Sequence, residues 1–183
     1  MFTFIQNFDI AFTKFLYPLK WDIFTKVMIF FTELGNHGLI WILLSLFLLF
    51  FRRTRRLGIL SLFSLAICSI IVNVTLKPLV ARSRPFEEIK GTILLVKTPL
   101  DRSFPSGHTA ASFAMVYIFF RHSRKFFIPV FITATLISFS RLYLNLHYPS
   151  DVVAGVLIGL FSGFLGEKSY KWSIKYLKKK IGR

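Results

Sequence analysis

Between Leu39 and Gly166 the chain repeats one pattern, an apolar run that a cluster of charges or a proline then stops. Leu39 to Phe51, extended back through the preceding turn, can cross a bilayer, and it is stopped by Arg52-Arg53-Thr54-Arg55-Arg56. Leu57 to Leu76 is a span of standard length that ends at Lys77-Pro78, because the residue before proline is pushed out of the helical region. A helix opened by Pro105-Ser106-Gly107-His108 runs to Phe120 and meets Arg121-His122-Ser123-Arg124-Lys125. Phe126 to Leu144 follows, with Pro129 tolerated in its first turn, and Val152 to Gly166 is the last run. With 54% hydrophobic residues and 23 phenylalanines in 183 positions, the chain is more apolar than a soluble domain of this length requires. The predicted fold class is therefore all-α: one domain, a polytopic transmembrane helix bundle with five clear spans plus an amphipathic or sixth span at the amino terminus.

The remaining segments are read from their charges. Residues 1 to 33 mix aromatics with Asp9, Lys14, Lys20, Asp22, Lys26 and Glu33, and Pro18 divides them into an amphipathic or interfacial helix and a short, partly inserted one. The start has neither the basic opening nor the small-residue cleavage site of a signal peptide, so these helices are expected to stay in the mature protein. Gly35 to Gly38 is a turn in which His37 is a loop residue, and Trp41 opens the next run as an interface residue. Cys68, alone in the chain, is a small core residue. Asn73 and Lys77, four apart, share a helix face. The polar stretch from Val80 to Phe104 is too long for an idle connection and is predicted to face substrate. His122 is a solvated companion of its basic neighbours. Gly155, Gly159 and Gly163 suit either a dimer interface or, more commonly, contact inside the bundle.

A formal charge of +16 raises the question of nucleic acid, which the placement of the charges answers. Arg52 to Arg56, Arg121 to Lys125 and the tail from Lys168 to Arg183 hold 14 of the 24 lysines and arginines. Counting spans puts all three on one side, and the positive-inside rule makes that side the cytoplasm. The charge then reports topology and anionic lipid, with no nucleic-acid partner. The expected location is the inner, cytoplasmic membrane, with a cytoplasmic carboxyl terminus.

The same count brings Lys77 to Phe104 and Asn145 to Ser150 to the outer, periplasmic face. Lys77 and Arg84, then Ser106, Gly107 and His108, then Arg141, His147 and Asp151 meet there. Ionisable groups at the edge of apolar segments are costly unless something uses them. His147 can serve as nucleophile or base, with Asp151 fixing its tautomer if the chain turns into a helix between them. Three cations call for an anion with several oxygens, and phosphate fits. Two histidines allow one to attack phosphorus while the other protonates the leaving oxygen. Each residue also has a plainer reading: Lys77, Arg141 and His147 could snorkel, Arg84-Pro85 could be a turn, Ser106 a helix cap and Asp151 a helix-starting acid.

Lys77-(six residues)-Arg84-Pro85, Pro105-Ser106-Gly107-His108 and Ser140-Arg141-(five residues)-His147-(three residues)-Asp151 resemble the tripartite signature of the type 2 phosphatidic acid phosphatase superfamily, which also contains vanadium haloperoxidases. All eleven specified residues are present in order. The resemblance implies that His147 forms a phosphohistidine, that Asp151 orients it and that His108 is the general acid. It implies that Lys77, Arg84, Ser106, Gly107 and Arg141 hold the phosphoryl oxygens, with no metal ion and no cofactor. Arg82 and Arg102 lie outside the signature and are either substrate headgroup contacts or solvated loop charges. The substrate class so implied is a lipid phosphate: undecaprenyl pyrophosphate, phosphatidylglycerol phosphate, phosphatidic acid or the lipid A 1-phosphate. The alternatives are a lipid phosphotransferase using the same phosphohistidine and a non-catalytic lipid transporter or scaffold. The oligomeric state is left open.

Overall fold

The computed structural model describes residues 2–19, 21–89 and 94–180. Lys20, Lys90 in the polar stretch and Arg183 in the tail lie outside the described residues, as do residues 1, 91–93, 181 and 182. Every regular element among the described residues is helical: α1 (Phe2–Leu16), α2 (Asp22–Leu34), α3 (Leu39–Phe50), α4 (Arg55–Ser69), α5 (Lys77–Val80), α6 (Pro85–Glu88), α7 (Gly107–His122), α8 (Arg124–Tyr143) and α9 (Pro149–Lys180). Short 3-10 turns occupy Tyr17–Leu19 and Asn36–Gly38, and a wider π-helical stretch, Ile70–Leu76, joins α4 to α5.

Three stretches are long and apolar enough to cross a membrane: Arg55–Glu88, α8 and α9. A fourth is made by α2 and Asn36–Phe50, bent by 45°. Such a chain is a multi-pass membrane protein. With 12 residues, α3 is only about 18 Å long at ~1.5 Å per residue, short of a hydrocarbon core, so it depends on α2 across the bend. The bend is built at Gly38, whose φ of 67° is a left-handed conformation that glycine adopts without a Cβ clash.

Several local expectations change in the structure. The helix does not stop at Lys77-Pro78: Lys77 stays helical (φ −61°, ψ −48°), and α5 continues to Val80. The widened π turn just before Pro78 gives the pyrrolidine ring room that a regular turn would deny it. Trp41 is not an interface residue; it is buried, and its indole N–H donates to Ser112 Oγ on α7 at 2.9 Å. Its ring enters a core of Leu48, Leu60, Met115, Phe119 and Ile137. Pro129 stands in the second turn, because α8 begins two residues early, at Arg124. His122 is not simply solvated: Nε2 lies 3.5 Å from Glu167, a buried carboxylate of α9 that also accepts from Lys171 at 2.6 Å and Tyr117 Oη at 3.2 Å. As far as Lys180, the basic tail is a direct continuation of α9 rather than a separate segment.

Helix α7 packs against α4, α8 and α9. The glycine stripe of α9 faces α7: a Cβ at Gly155 would stand 2.8 Å from Ser106 O, and one at Gly163 would stand 2.6 Å from Tyr117 Cβ. Gly159 would strike the Ala110 carbonyl in the same way. The stripe thus lets two backbones approach within the bundle. Because α4, α7, α8 and α9 alternate in direction, Lys77, Gly107, Arg141 and Asp151 gather at one end, and Arg55, Arg121, Arg124 and Lys168 at the other.

Candidate active site

After α8 ends, the chain reverses through Asn145 (φ 56°) and returns to its own last turn, with Leu146 N and His147 N donating to Arg141 O at 3.0 and 3.2 Å. That tight return buries His147 to 2% exposure and leaves its two ring nitrogens facing different neighbours. Nδ1 is 3.6 Å from Asp151 Oδ2, within ion-pair range but longer than a hydrogen bond, and the Ser103 hydroxyl stands beside the pair, 3.5 Å from Nδ1 and donating to Oδ2 at 2.5 Å. Asp151 stands in the first turn of α9, where the helix end favours an acid, and accepts from Tyr148 N at 2.9 Å and Arg82 Nη1 at 2.7 Å. Nε2 points the other way and lies 3.2 Å from Arg84 Nη1.

Arg84 is held in extended backbone before Pro85, its N–H donating to Glu87 at 2.9 Å. Its guanidinium donates to Leu146 O at 2.6 Å, to Asp101 O at 2.9 Å and to Asp101 Oδ1 at 2.8 Å. Lys77 forms an ion pair with the other oxygen of the same carboxylate. Asp101 therefore bridges the two cations of the first block. Burial would raise its carboxyl, but the hydrogen bond and charge of Lys77, with Arg84 behind them, hold it at about 2.

The second block joins from α7. A Cβ at Gly107 would sit 3.4 Å from Lys77 Nζ and 3.7 Å from Asn73 Oδ1, so Asn73 and Lys77, which share a helix face, both reach the start of α7. Ser106 is fully buried at the cap position, yet its hydroxyl makes no capping bond; it accepts from Thr109 Oγ1 at 3.0 Å, while Ser106 N donates to Asp151 O at 3.1 Å. His108 Nε2 lies 3.1 Å from Asn36 Oδ1 and 3.5 Å from Arg141 Nη1. Arg141 donates to Thr32 Oγ1 at 2.5 Å, and its buried Nε has no partner among the described residues.

All eight signature residues expected in the site converge. Of the two outside it, Arg82 turns inward to Asp9 and Asp151, with its guanidinium 4.1 Å from the centre of the Tyr148 ring, and Arg102 is exposed. Sequence reasoning missed Asp101, Ser103, Asn36 and Thr32. Only Asp101 carried a signal, an acid three residues before the cluster opened by Phe104-Pro105. Lys77, Arg84 and Arg141 are only 8, 2 and 3% exposed, and among the described residues Lys77 and Arg84 share one carboxylate while Arg141 pairs with none, leaving an excess of positive charge out of water. Burial first, then the charges of Arg84, Arg141 and Lys77, push the His147 imidazole well below its ordinary range, so it is neutral and keeps a lone pair. Among the described residues, no group of three or more His, Cys, Asp or Glu side chains is placed to hold a metal ion.

Comparison with known proteins agrees with this geometry. The family profile of the PAP2 superfamily matches residues 57–175. An undecaprenyl-diphosphatase of Sulfolobus acidocaldarius is 36% identical over 140 residues, 76% of this chain and 67% of the relative. The crystal structure of Aquifex aeolicus LpxE superposes with a TM-score of 0.76 at 27% identity, over 87% of this chain and 94% of that one. A transmembrane PAP2-type phosphatidylglycerolphosphate phosphatase from Bacillus subtilis does so with a TM-score of 0.73 at 26% identity, over 91% of this chain and 86% of that one. With the profile spanning all three polar blocks and the fold shared over most of the length, this chain belongs to the PAP2 superfamily, as a membrane-embedded hydrolase.

Proposed function

We propose that this protein removes a terminal phosphate from a membrane lipid diphosphate or monophosphate, undecaprenyl diphosphate being the first substrate to test. The observation that carries the reading is the surplus of buried cations around two imidazoles: Lys77 and Arg84 share Asp101, while Arg141 pairs with no carboxylate among the described residues and its Nε has no partner among them. Buried like charges are tolerated only with a counter-anion, and a phosphoryl group brings several oxygens to exchange for the Asp101 carboxylate.

His147 Nε2 attacks phosphorus as the bond to the leaving oxygen breaks, and His108 gives that oxygen its proton. The P–N bond of the phosphohistidine then breaks as water attacks, His108 takes a proton from the water, and inorganic phosphate leaves. Lys77, Arg84, Ser106, Gly107 and Arg141 bind the phosphoryl oxygens, and preorganised donors of this kind lower the barrier without reorganising during reaction. Asp151 holds the Nδ1 side of the nucleophile. Counting α7 with the four longer stretches gives five spans in one domain. The basic end is cytoplasmic, and the site opens at the outer face, where a lipid headgroup is already concentrated.

Purified protein in detergent should release phosphate from undecaprenyl diphosphate, and brief exposure to labelled substrate should leave an acid-labile, base-stable label on the chain. His147→Ala should eliminate both while the protein remains monodisperse. Normal turnover by that variant overturns the mechanism. Transfer of the label to an added acceptor lipid in preference to water would make the protein a phosphotransferase.

A further inference from the structure

The first helix lies outside the residues matched by the family profile, yet it sends one carboxylate into the site's support. Phe4, Phe8 and Phe15 of α1 are 76, 54 and 66% exposed, an apolar side suited to lipid, whereas Asp9 on the opposite side is fully buried. Asp9 Oδ2 accepts from Arg82 Nη2 at 2.7 Å and from Ser150 Oγ at 2.5 Å, and Oδ1 accepts from Ser150 N at 3.0 Å. Arg82 in turn donates through Nη1 to Ser150 Oγ at 2.8 Å and to Asp151 Oδ1 at 2.7 Å. One guanidinium is thereby shared by two buried carboxylates, and Ser150, the residue before Asp151, is pinned from the side of α1.

We propose that Asp9 is a positioning residue for the reaction: it holds Arg82 and Ser150 so that Asp151 faces His147. This rests on the phosphohistidine reading above. Without the Asp9 charge, Arg82 has only Asp151 to pair with, and a bidentate grip on that carboxylate draws it away from Nδ1 of His147. An amide in place of the carboxylate keeps one oxygen for the Ser150 N–H, but its NH2 group would face the Arg82 Nη2 and Ser150 Oγ donors, loosening the turn that carries Asp151. Arg82 is thus a link in the support of the nucleophile rather than a headgroup contact.

The test uses full-length protein in detergent with undecaprenyl diphosphate, comparing Asp9→Asn, Arg82→Gln and the double variant, with Lys14→Gln, on the exposed side of α1, as control. Asp9→Asn should lower kcat roughly tenfold or more with KM within about twofold, and the double variant should be little worse than Arg82→Gln alone, as expected for groups in one network. Lys14→Gln should match the parent. Unchanged kcat in Asp9→Asn, a loss confined to KM, or losses that multiply independently would each overturn the proposal. If Asp9→Asn does not fold, Asp9→Glu replaces it on the same readouts; parental kcat, or failure of that variant to fold as well, assigns Asp9 to the fold alone and overturns the positioning role. An inactive parent, or an active His147→Ala, would instead overturn the phosphohistidine reading.

Discussion

His147 does its proposed work as a neutral ring, and its surroundings keep it so. Burial and the charges of Arg84, Arg141 and Lys77 oppose the imidazolium, so the proton that would silence the nucleophile binds only in acid. The acid limb of kcat/KM should therefore lie below the ordinary imidazole value of about 6.5, a profile measurable by phosphate release across pH. The same shift has a sign for stability. The unfolded chain takes up a proton near pH ~6.5 that the folded ring refuses, so this contribution is complete at higher pH and declines as pH falls below that value. Asp101, held at about 2, stays ionised throughout this range, and in the proposed reaction it competes with substrate for Lys77 and Arg84. Asp101→Asn should tighten inhibition by orthovanadate, a mimic of the phosphoryl transition state, by roughly tenfold. Weaker inhibition would mean that the carboxylate organises the two cations instead of occupying their place.

Helices position these groups through close approaches that only small residues permit. Along α9, Gly155 and Gly159 bring the backbone against Ser106, which caps α7, and Ala110 within it, which sets the distance between the helix bearing His108 and the one bearing Asp151. Gly159→Ala should destabilise the detergent-solubilised protein by about 1–3 kcal/mol, seen as a lower thermal unfolding midpoint, because its Cβ meets backbone rather than a yielding side chain. At the bend before α3, a Cβ on Gly35 would come within 2.8 Å of both His108 Cδ2 and Ile137 Cγ2. Gly35→Ala should then lower kcat more than it lowers stability, by displacing the imidazole or the Asn36 turn that accepts from it. The π stretch before Lys77 belongs to the same logic: a wide turn admits Pro78 without ending the helix, and Lys77 still reaches Gly107.

For the molecule as a whole, the two ends of the bundle differ in kind, one carrying the buried site with its partly paired cations and the other the arginine and lysine clusters. Single cysteines introduced at Arg102 and Ser169 in a Cys68→Ala background should be labelled from opposite sides of an intact membrane, Arg102 from outside. Labelling of both from one side would overturn the proposed orientation. The helical class and the eight signature positions were legible in the sequence, because apolar run length and residue spacing are local, one-dimensional quantities. So was the shared face of Asn73 and Lys77, for the same reason; that this face meets the start of α7 came from the packing. Asp101, Ser103 and Asn36 were not, since each reaches the site from a polar loop or turn whose path is set by what it packs against. Asp9 was read as one charge on an interfacial helix, and Trp41 as an interface anchor, because an isolated helix presents its polar side to water. Here α1 turns that side into the bundle, where Arg82 and Ser150 satisfy the carboxylate. Residue order was enough to say which groups share an end of the bundle; which charge faces which depended on three-dimensional packing, because pairing energy falls with distances that no spacing along the chain encodes.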